Sequence, residues 1–284
     1  MRRRTFLLAL LATACGTGEP QGELKLAAGE EGGIYLDFAR LLAANSPEGL
    51  RITPIATGGS QDNLDRLRKG EVDLALTLAD SATPDLVALG RVYENYLQLV
   101  VRADSPVRNL DDLRGQPVSL GAPGSGAAVQ GARLDLQARE LHMSLDPAVD
   151  ALQRGEIAAL LWSGGVPTPR LAKETNLRLL PLDGVLPRLK AAYGSVYEHV
   201  TVRAGVYGSK ADVQTVGTAN LLMCRRSLPD DLAGAVVRML VRKAANLVPN
   251  QALGTQFLDV RSLIVTPRID LHPGAAAEYR RLHG

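Results

Sequence analysis

The sequence has few cysteines, few aromatic residues and no long apolar run after Leu11. Two cysteines in 284 residues cannot form a disulfide network, so the folded chain must depend on a hydrophobic core. Aromatic residues make up only 4%, with a single tryptophan, although 46% of the residues are hydrophobic. No later segment has the roughly 20 apolar residues that a membrane-spanning helix needs. The composition indicates a globular protein with one large domain or two medium ones.

The small excess of basic residues is concentrated at the N-terminus. Arginines occupy positions 2–4, and an apolar stretch, three small residues and Cys15 follow. This order predicts a secretory signal peptide over residues 1–14 and a lipid on Cys15. Two adjacent arginines before Thr-Phe-Leu also resemble a twin-arginine signal, so general and twin-arginine export both stay open.

The predicted mature chain begins at Cys15 with a polar tether over residues 15–22. We expect it outside the cytoplasm, anchored by lipid to the outer face of the membrane, at the cell surface or in the periplasm. Loss of the three arginines from the 32 basic residues leaves 29, against 30 acidic ones. The mature chain therefore has no excess of positive charge that would indicate binding to nucleic acid. Cys224 is then the remaining cysteine, and its apolar surroundings predict a small buried side chain.

Strand and helix patterns alternate along the rest of the chain. We predict strands over 24–28, 51–57, 72–78, 96–102, 117–121, 158–162, 178–181, 200–206 and 219–225. We predict helices over 34–44, 61–69, 126–141, 147–154, 169–174, 229–247 and 273–282. Strand–helix–strand units of this spacing favour parallel strands, whose carboxyl ends lie at one edge of the sheet, where ligands usually bind.

A break in this alternation after Arg102 predicts two α/β lobes with mixed or parallel sheets flanked by helices. The first lobe is expected to contain residues 23–103 and 219–284, and the second to contain residues 104–218. Two crossings of the chain, near Arg102 and near Thr218, would form the hinge between them.

Three glycine-containing turns, at residues 29–35, 57–60 and 121–126, each lead into a predicted helix. Unpaired N–H groups and the positive end of the helix dipole make such a place suitable for a carboxylate or phosphate, without Arg or Lys. Glycine is also common in these turns for steric reasons alone, so either interpretation holds for a single turn. Ser60 and Ser125 could cap their helices or donate a hydroxyl to the ligand.

Other chemistry is sparse, and we predict no cofactor, no metal site and no enzymatic activity. Residues 124–129 resemble a dinucleotide fingerprint, but Val129 stands where the third glycine or alanine belongs. The four histidines are far apart and lack the spacing of metal ligands. No motif pairs a nucleophile with a base. Trp162 ends a predicted strand, and a core role and a role in the ligand pocket both stay open.

The turns and several further blocks, taken together, resemble the TAXI group of solute-binding proteins of TRAP transporters, the extracytoplasmic glutamate-binding type. The matching blocks occur in the family's order and cover nearly all of the predicted mature chain: 29–35, 57–60 with 63–64, 70–75 with 80–82, 121–126, 160–164 with 167–169, 216–222 and 272–275. The resemblance implies a two-lobed fold of the type II periplasmic binding proteins. It also implies an integral-membrane TRAP transporter subunit as partner, and glutamate, glutamine, 2-oxoglutarate or a related dicarboxylate as ligand.

The turns and the resemblance together predict the residues that bind the ligand: Gly32, Gly33, Ile34, Tyr35, Thr57, Gly58, Gly59, Ser60, Asn63, Ser81, Ser125, Gly126, Ala127, Trp162 and Ser163. Glu30 and Glu31 stand where the family has smaller residues. A carboxylate of this pair inside the cleft would favour a ligand with an ammonium group, whereas two solvent-facing carboxylates would only favour the helix dipole. A ligand-sensing subunit of a membrane receptor kinase is the alternative function, and an enzyme on the same scaffold is a third.

Overall fold

The structure is a computed structural model, which describes residues 20–249 and 258–283. The predicted signal peptide, the lipidation site Cys15 and most of the tether therefore lie outside the described residues. Within the described part, no helix has the length and apolar character needed to cross a membrane.

The strands form a single mixed sheet flanked by helices, which agrees with the predicted α/β class. The strand order is β2-β1-β3-β10-β4-β7-β5-β6, while β8 pairs with β4 and β9 with β10. The strands are β1 Gly22–Ala27, β2 Leu50–Ile55, β3 Leu74–Leu78, β4 Val87–Arg102, β5 Pro117–Ser119, β6 Arg139–Leu141, β7 Ala159–Gly164, β8 Leu177–Leu180, β9 Tyr197–Val202 and β10 Val213–Cys224. The helices are α1 Ile34–Ala44, α2 Ser60–Lys69, α3 Gly126–Leu134, α4 Leu145–Gln153, α5 Pro169–Ala172, α6 Leu186–Tyr193, α7 Asp230–Arg242, α8 Val260–Leu263 and α9 Pro273–His283.

Two long strands, β4 and β10, join into one sheet the strands that were expected to form two sheets. They run antiparallel to each other, and each pairs with different strands along different parts of its length. The part of β10 up to Thr218 pairs with β9, and the part from Asn220 pairs with β3. The part of β4 from Tyr96 pairs with β7 and then with β8. The changes of partner thus fall near Tyr96 and Thr218, and the division of the chain into two lobes at residues 103 and 218 stays a prediction.

Parallel pairing is confined to the outer parts of the sheet, where β1 pairs with β2 and β3, and β5 pairs with β6 and β7. These are the strands that precede the three glycine turns or neighbour them. As a result α1, α2 and α3 all begin at the carboxyl ends of parallel strands. This arrangement directs three helix N-termini toward one region.

Helix α1 shows how the apolar pattern fixes the packing beside this region. Ile34, Phe38 and Leu42 recur every four residues, and all three are buried against the sheet. The Phe38 ring meets the Tyr93 ring edge-on at 5.2 Å between centroids, a geometry that aromatic pairs favour. The predicted bounds of this helix are therefore confirmed.

Two predicted helices end earlier than expected. The helix predicted over 126–141 stops at Leu134, because Asp135 adopts a left-handed conformation with φ 50°, and β6 follows at Arg139. An aspartate is a weaker stop signal than glycine, so the pattern did not reveal the end. The helix predicted over 229–247 is α7, which ends at Arg242 and is followed by a short 3-10 turn.

Both long strands are longer than the predicted segments 96–102 and 219–225. The extra part of β4 contains the buried charged residues Arg91 and Glu94, which interrupt an otherwise apolar run. Their side chains pair at 2.9 Å, and the more exposed Glu198 of β9 lies 3.6 Å from the same guanidinium. Because the two charges pair with each other, this part of the strand is buried although its sequence is not uniformly apolar. The apolar pattern therefore did not reveal the first half of β4.

Burial raises the pKa of Glu94 to about 7, against the opposing effect of Arg91. A carboxyl whose pKa is higher in the folded state than in the unfolded state stabilises the fold while it is protonated. That contribution is lost as the pH rises from the unfolded pKa, near 4.5, through about 7.

We therefore predict that Glu94→Gln removes this pH dependence. The free energy of unfolding of the unmodified protein, relative to that of the variant, should fall by about 2 kcal/mol between pH 5 and pH 8. Urea unfolding of both proteins across this range measures the difference. A difference that stays constant would show that folding leaves the pKa of Glu94 unchanged, and a difference that grows with pH would show that folding lowers it. Either result would contradict the prediction.

Candidate functional site

A cleft lies where α1, α2 and α3 begin, beside the ends of β3 and β7 and the middle of β4. It contains about 440 Å³ of space between protein atoms, part of which is open to solvent. The residues that line it are Gly29, Glu30, Gly33, Ile34, Tyr35, Gly58, Gly59, Ser60, Leu78, Asn95, Ser125, Gly126, Ala127, Trp162 and Ser163. All three glycine turns contribute to this lining.

Most of the predicted binding residues are brought together here. The cleft is lined by Gly33, Ile34, Tyr35, Gly58, Gly59, Ser60, Ser125, Gly126, Ala127, Trp162 and Ser163, whereas Gly32, Thr57, Asn63 and Ser81 do not line it. Four further residues line the cleft without having been predicted to bind the ligand: Gly29, Glu30, Leu78 and Asn95. Gly29 and Glu30 belong to the first glycine turn, so the sequence could have indicated their place in the cleft. Leu78 and Asn95 lie at the cleft because of strand pairing, which the sequence pattern does not reveal.

Asn63 and Thr57 support the second turn from below. The buried Asn63 amide donates to the Ala28 carbonyl and, at 2.7 Å, to the Leu76 carbonyl, and so ties α2 to β3 and to the end of β1. The Thr57 hydroxyl lies 2.5 Å from the Asn63 Oδ1 and accepts a hydrogen bond from the Gly59 N–H at 3.2 Å. Both polar side chains are therefore occupied within the fold.

The other two residues outside the cleft also have clear surroundings. The Ser81 hydroxyl donates to the Asp80 carboxylate at 3.2 Å, behind the cleft. Gly32 is exposed and has a φ of 74°, which a glycine adopts without strain, so it serves the shape of the first turn.

The first turn leaves the N-terminus of α1 open to the cleft. The Gly33 N–H is satisfied by the Glu30 carbonyl at 3.1 Å. Among the described residues, no hydrogen-bond acceptor is found for the N–H groups of Ile34 and Tyr35, which line the cleft. Unsatisfied donors of the first helical turn carry the positive end of the helix dipole, and they attract an anion.

The third turn presents α3 in the same way from the opposite side. The Ser125 hydroxyl accepts the Ala128 N–H at 3.1 Å, so this serine caps the helix. The N–H groups of Gly126 and Ala127 have no acceptor in the described part of the chain, and both residues line the cleft. Two helix N-termini therefore face one cleft.

The second turn behaves differently, because its helix start is already used. The N–H groups of Gln61 and Asp62 donate to the Gly124 carbonyl of the third turn at 2.9 and 3.3 Å. A Cβ added at Gly59 would lie 3.3 Å from the Ser125 Cα, so glycine permits the two turns to touch. The start of α2 therefore holds the third turn in place more than it offers donors to a ligand.

Ser60 and Tyr35 meet at the base of the cleft. The Ser60 hydroxyl accepts the Leu78 N–H at 3.2 Å and lies 3.3 Å from the Tyr35 hydroxyl. Burial raises the pKa of Tyr35, so its phenol stays neutral and can donate a hydrogen bond. Ser60 does not cap its own helix.

Polar groups of β4 and β7 form the facing wall. The Asn95 amide donates to the Ser163 carbonyl at 3.2 Å, and the Trp162 indole donates to the Thr168 hydroxyl at 3.1 Å, which fixes the orientation of the ring. Trp162 thus lines the cleft. The Ser163 hydroxyl is buried and has no partner within the described residues, which is a costly state for a polar group unless a ligand or water satisfies it.

The Glu30–Glu31 pair divides between two environments. Glu31 is exposed and pairs with Arg40 at 2.8 Å. Glu30 lines the cleft, and its Oε2 accepts the Leu145 N–H at 3.1 Å at the start of α4. Burial raises the pKa of Glu30, the Leu145 hydrogen bond lowers it, and Asp146 raises it further. Within residues 20–249 and 258–283, no lysine, arginine or histidine is among the residues that line the cleft.

A buried ionic network lies behind the cleft at the end of β3. The Asp80 carboxylate is fully buried and accepts from Arg133 of α3 at 2.9 Å and from the Tyr197 hydroxyl at 2.7 Å. The Arg133 guanidinium also lies 4.3 Å from the centre of the Tyr193 ring. Burial raises the pKa of Asp80, while Tyr197 and Arg133 lower it. This network connects β3 to α3 and β9, and so fixes α3 relative to α1.

The family profile described as the NMT1-like family matches residues 26–281 of the chain. The chain belongs to the NMT1-like family. The match runs from the end of β1 into α9, so the NMT1-like region includes every described residue that lines the cleft.

Solved structures show which fold this NMT1-like chain adopts. A protein from Bordetella bronchiseptica shares 14% identity, with 92% of this chain and 98% of that chain covered and a TM-score of 0.59. A mutant of the arginine-binding protein of T. maritima shares 16% identity over 80% and 92% of the two chains, with a TM-score of 0.51. An ancestral arginine-binding protein bound to arginine shares 12% identity over 80% and 95%, also with a TM-score of 0.51.

These likenesses confirm the predicted fold of the type II periplasmic binding proteins. The resemblance to solute-binding proteins is thus confirmed at the level of the fold, and membership of the TAXI group stays a prediction.

We predict that Arg133→Met destabilises the NMT1-like chain strongly, because it leaves the Asp80 carboxylate buried without its cationic partner. The free energy of unfolding should fall by about 3 kcal/mol. Arg114→Met is the matched control, since its pair with Asp111 at 3.0 Å is exposed and should contribute little. Urea unfolding at neutral pH measures both. Equal losses of unfolding free energy in the two variants would show that the buried pair of Asp80 and Arg133 stabilises the fold no more than an exposed ion pair does.

Proposed function

We propose that the protein is an extracytoplasmic solute-binding protein, which captures a small carboxylate in the cleft and delivers it to a membrane transporter. The observation that carries this proposal is the pair of open helix N-termini, at α1 and α3, which face the same cleft. None of the described residues that line it carries a cationic donor. A small anion that accepts hydrogen bonds from both helices satisfies donors that otherwise stay unpaired in a partly dry site.

The ligand carboxylate would accept hydrogen bonds from the N–H groups of Ile34 and Tyr35 on one side. The N–H groups of Gly126 and Ala127 would donate from the other side. The Ser163 hydroxyl, which is buried without a partner, adds a donor from the facing wall. The Trp162 ring, held by Thr168, covers the apolar part of the ligand.

This arrangement couples binding to closure. Helix α1 belongs to the first predicted lobe and α3 to the second, so one carboxylate can contact both helix starts only when the lobes are closed. A ligand shifts a conformational equilibrium by the contacts that it makes in one state alone, and here those contacts are the hydrogen bonds to the second helix. The closed surface is then what a transporter distinguishes.

The finer assignment follows the sequence resemblance. We propose that the membrane partner is a TRAP-type transporter subunit and that the ligand belongs to the group of glutamate, glutamine, 2-oxoglutarate and related dicarboxylates. A lipid on Cys15 would keep the binding protein close to its transporter, and the tether would leave it free to turn.

The proposal predicts that ligands of this group stabilise the purified protein. At a hundredfold excess over the dissociation constant, a bound ligand adds about 2.7 kcal/mol to the free energy of unfolding. A thermal-shift screen of amino acids, oxo acids and dicarboxylates detects this as a higher melting temperature. Absence of a shift with every compound would contradict the proposed ligand class.

The site itself is tested with two matched serines. Ser163 and Ser209 both carry a buried hydroxyl without a partner in the described residues, but only Ser163 lines the cleft. We expect Ser163→Ala to weaken binding about tenfold, the value of one hydrogen bond to a charged group, and Ser209→Ala to leave it unchanged. Calorimetric titration measures both constants. Unchanged binding in Ser163→Ala and in Trp162→Ala would reject this location of the ligand.

A further inference from the structure

We propose that Glu30 selects ligands that carry an ammonium group beside the carboxylate, so that the solute is an amino acid and not an oxo acid or a plain dicarboxylate. The inference rests on the proposed function and narrows its ligand class. Its basis is the charge distribution around the cleft and the way in which the Glu30 carboxylate is held.

Among the residues that the structure describes, those that line the cleft carry one carboxylate, that of Glu30, and no cationic side chain. The donors that would hold the ligand carboxylate are neutral N–H groups at two helix starts. Such donors offset one negative charge, but they offer little to a second. A dianion would therefore bring an extra negative charge next to Glu30, whereas the ammonium group of an amino acid would face that carboxylate with the opposite sign.

The turn holds the Glu30 backbone and one of its carboxylate oxygens. The carbonyl accepts the Gly33 N–H at 3.1 Å, and Oε2 accepts the Leu145 N–H at 3.1 Å. The hydrogen bonds of the described residues give Oε1 no protein donor, so this oxygen can accept a hydrogen bond from the ligand. A carboxylate that is fixed before the ligand arrives loses little freedom on binding.

The ionisable groups near Glu30 also favour a cationic ligand. Asp146, at the start of α4, adds a negative charge and is itself paired with Arg170 at 3.3 Å. Arg40 is engaged by Glu31 on the exposed side of the first turn. Glu30 is thus a partly buried carboxylate that receives a backbone hydrogen bond but no ion pair in the described part of the chain, and a ligand cation would supply one.

A purely structural role for Glu30 would require different chemistry of its side chain. Ser144, which precedes α4, makes no side-chain hydrogen bond to that helix, and Glu30 instead satisfies the Leu145 N–H. Capping α4 needs only an acceptor oxygen, which a glutamine supplies equally well. Selection of an ammonium group needs the negative charge. Glu30→Gln therefore separates the two roles.

The experiment compares pairs of ligands in which an oxo group replaces the α-amino group. Dissociation constants for L-glutamate and 2-oxoglutarate, and for L-alanine and pyruvate, are measured by calorimetry on the unmodified protein, Glu30→Gln and the matched control Glu31→Gln. We expect the unmodified protein to prefer the amino acid of a pair at least tenfold. Glu30→Gln should reduce this preference at least tenfold, Glu31→Gln should keep it, and Glu30→Asp should restore part of it.

Each contrary result has a distinct meaning. Equal weakening of both members of a pair in Glu30→Gln would show that Glu30 only caps α4 and would overturn the inference. Equal binding of oxo acid and amino acid by the unmodified protein would overturn it as well, while leaving the cleft as the binding site. Failure of the unmodified protein to bind any of the four ligands would instead count against the proposed function. Far-ultraviolet circular dichroism confirms that each variant is folded.

Discussion

Unpaired backbone N–H groups at two helix starts determine what this cleft can hold. A donor that is removed from water without an acceptor costs free energy comparable to a lost hydrogen bond, and helices α1 and α3 each present more than one. In the described part of the chain, side chains satisfy some of the donors at these termini, as Ser125 does for Ala128, but not those that face the cleft. The fold therefore leaves N–H donors for which a small anion can be the acceptor. Because both helices begin at the carboxyl ends of parallel strands, these two sets of donors lie close together.

The rest of the molecule keeps these two helix starts aligned. Asn63 ties α2 to the sheet beneath the second turn, and the start of α2 holds the Gly124 carbonyl of the third turn. On the other side, the ion pair between Asp80 and Arg133 holds α3 against the end of β3. These contacts require the removal of polar side chains from water and the loss of their rotational freedom. In return they position backbone N–H groups, which no sequence motif reveals directly. A ligand that completes such a prepared site binds with little further ordering of the protein.

The sequence was informative where local patterns decide the structure and uninformative where distant pairing decides it. The bounds of α1 follow from a four-residue apolar repeat after glycine, and the three turns were visible from glycine alone. Asn95 and Leu78 could not be assigned to the cleft, because their place depends on the register of β4 and β3 with partners far along the chain. The early part of β4 was missed because Arg91 and Glu94 compensate each other inside the sheet, and an apolar pattern cannot express a buried pair. Asn63 was assigned to the ligand, but its amide is used entirely by the fold.

Glu30 and Glu31 show why a motif alone does not define a ligand. The two residues are identical and adjacent, and composition assigns them the same charge. The turn directs Glu31 to Arg40 in solvent, where the pair contributes little, and directs Glu30 to the cleft, where burial and Asp146 make its charge costly. The Leu145 hydrogen bond offsets part of that cost, and no described residue that lines the cleft has a cationic side chain to offset the rest. Conformation has thus converted one of two equivalent carboxylates into a group whose charge a ligand must balance. Specificity in such a site depends on the charge that the protein leaves unbalanced as much as on the contacts that it completes.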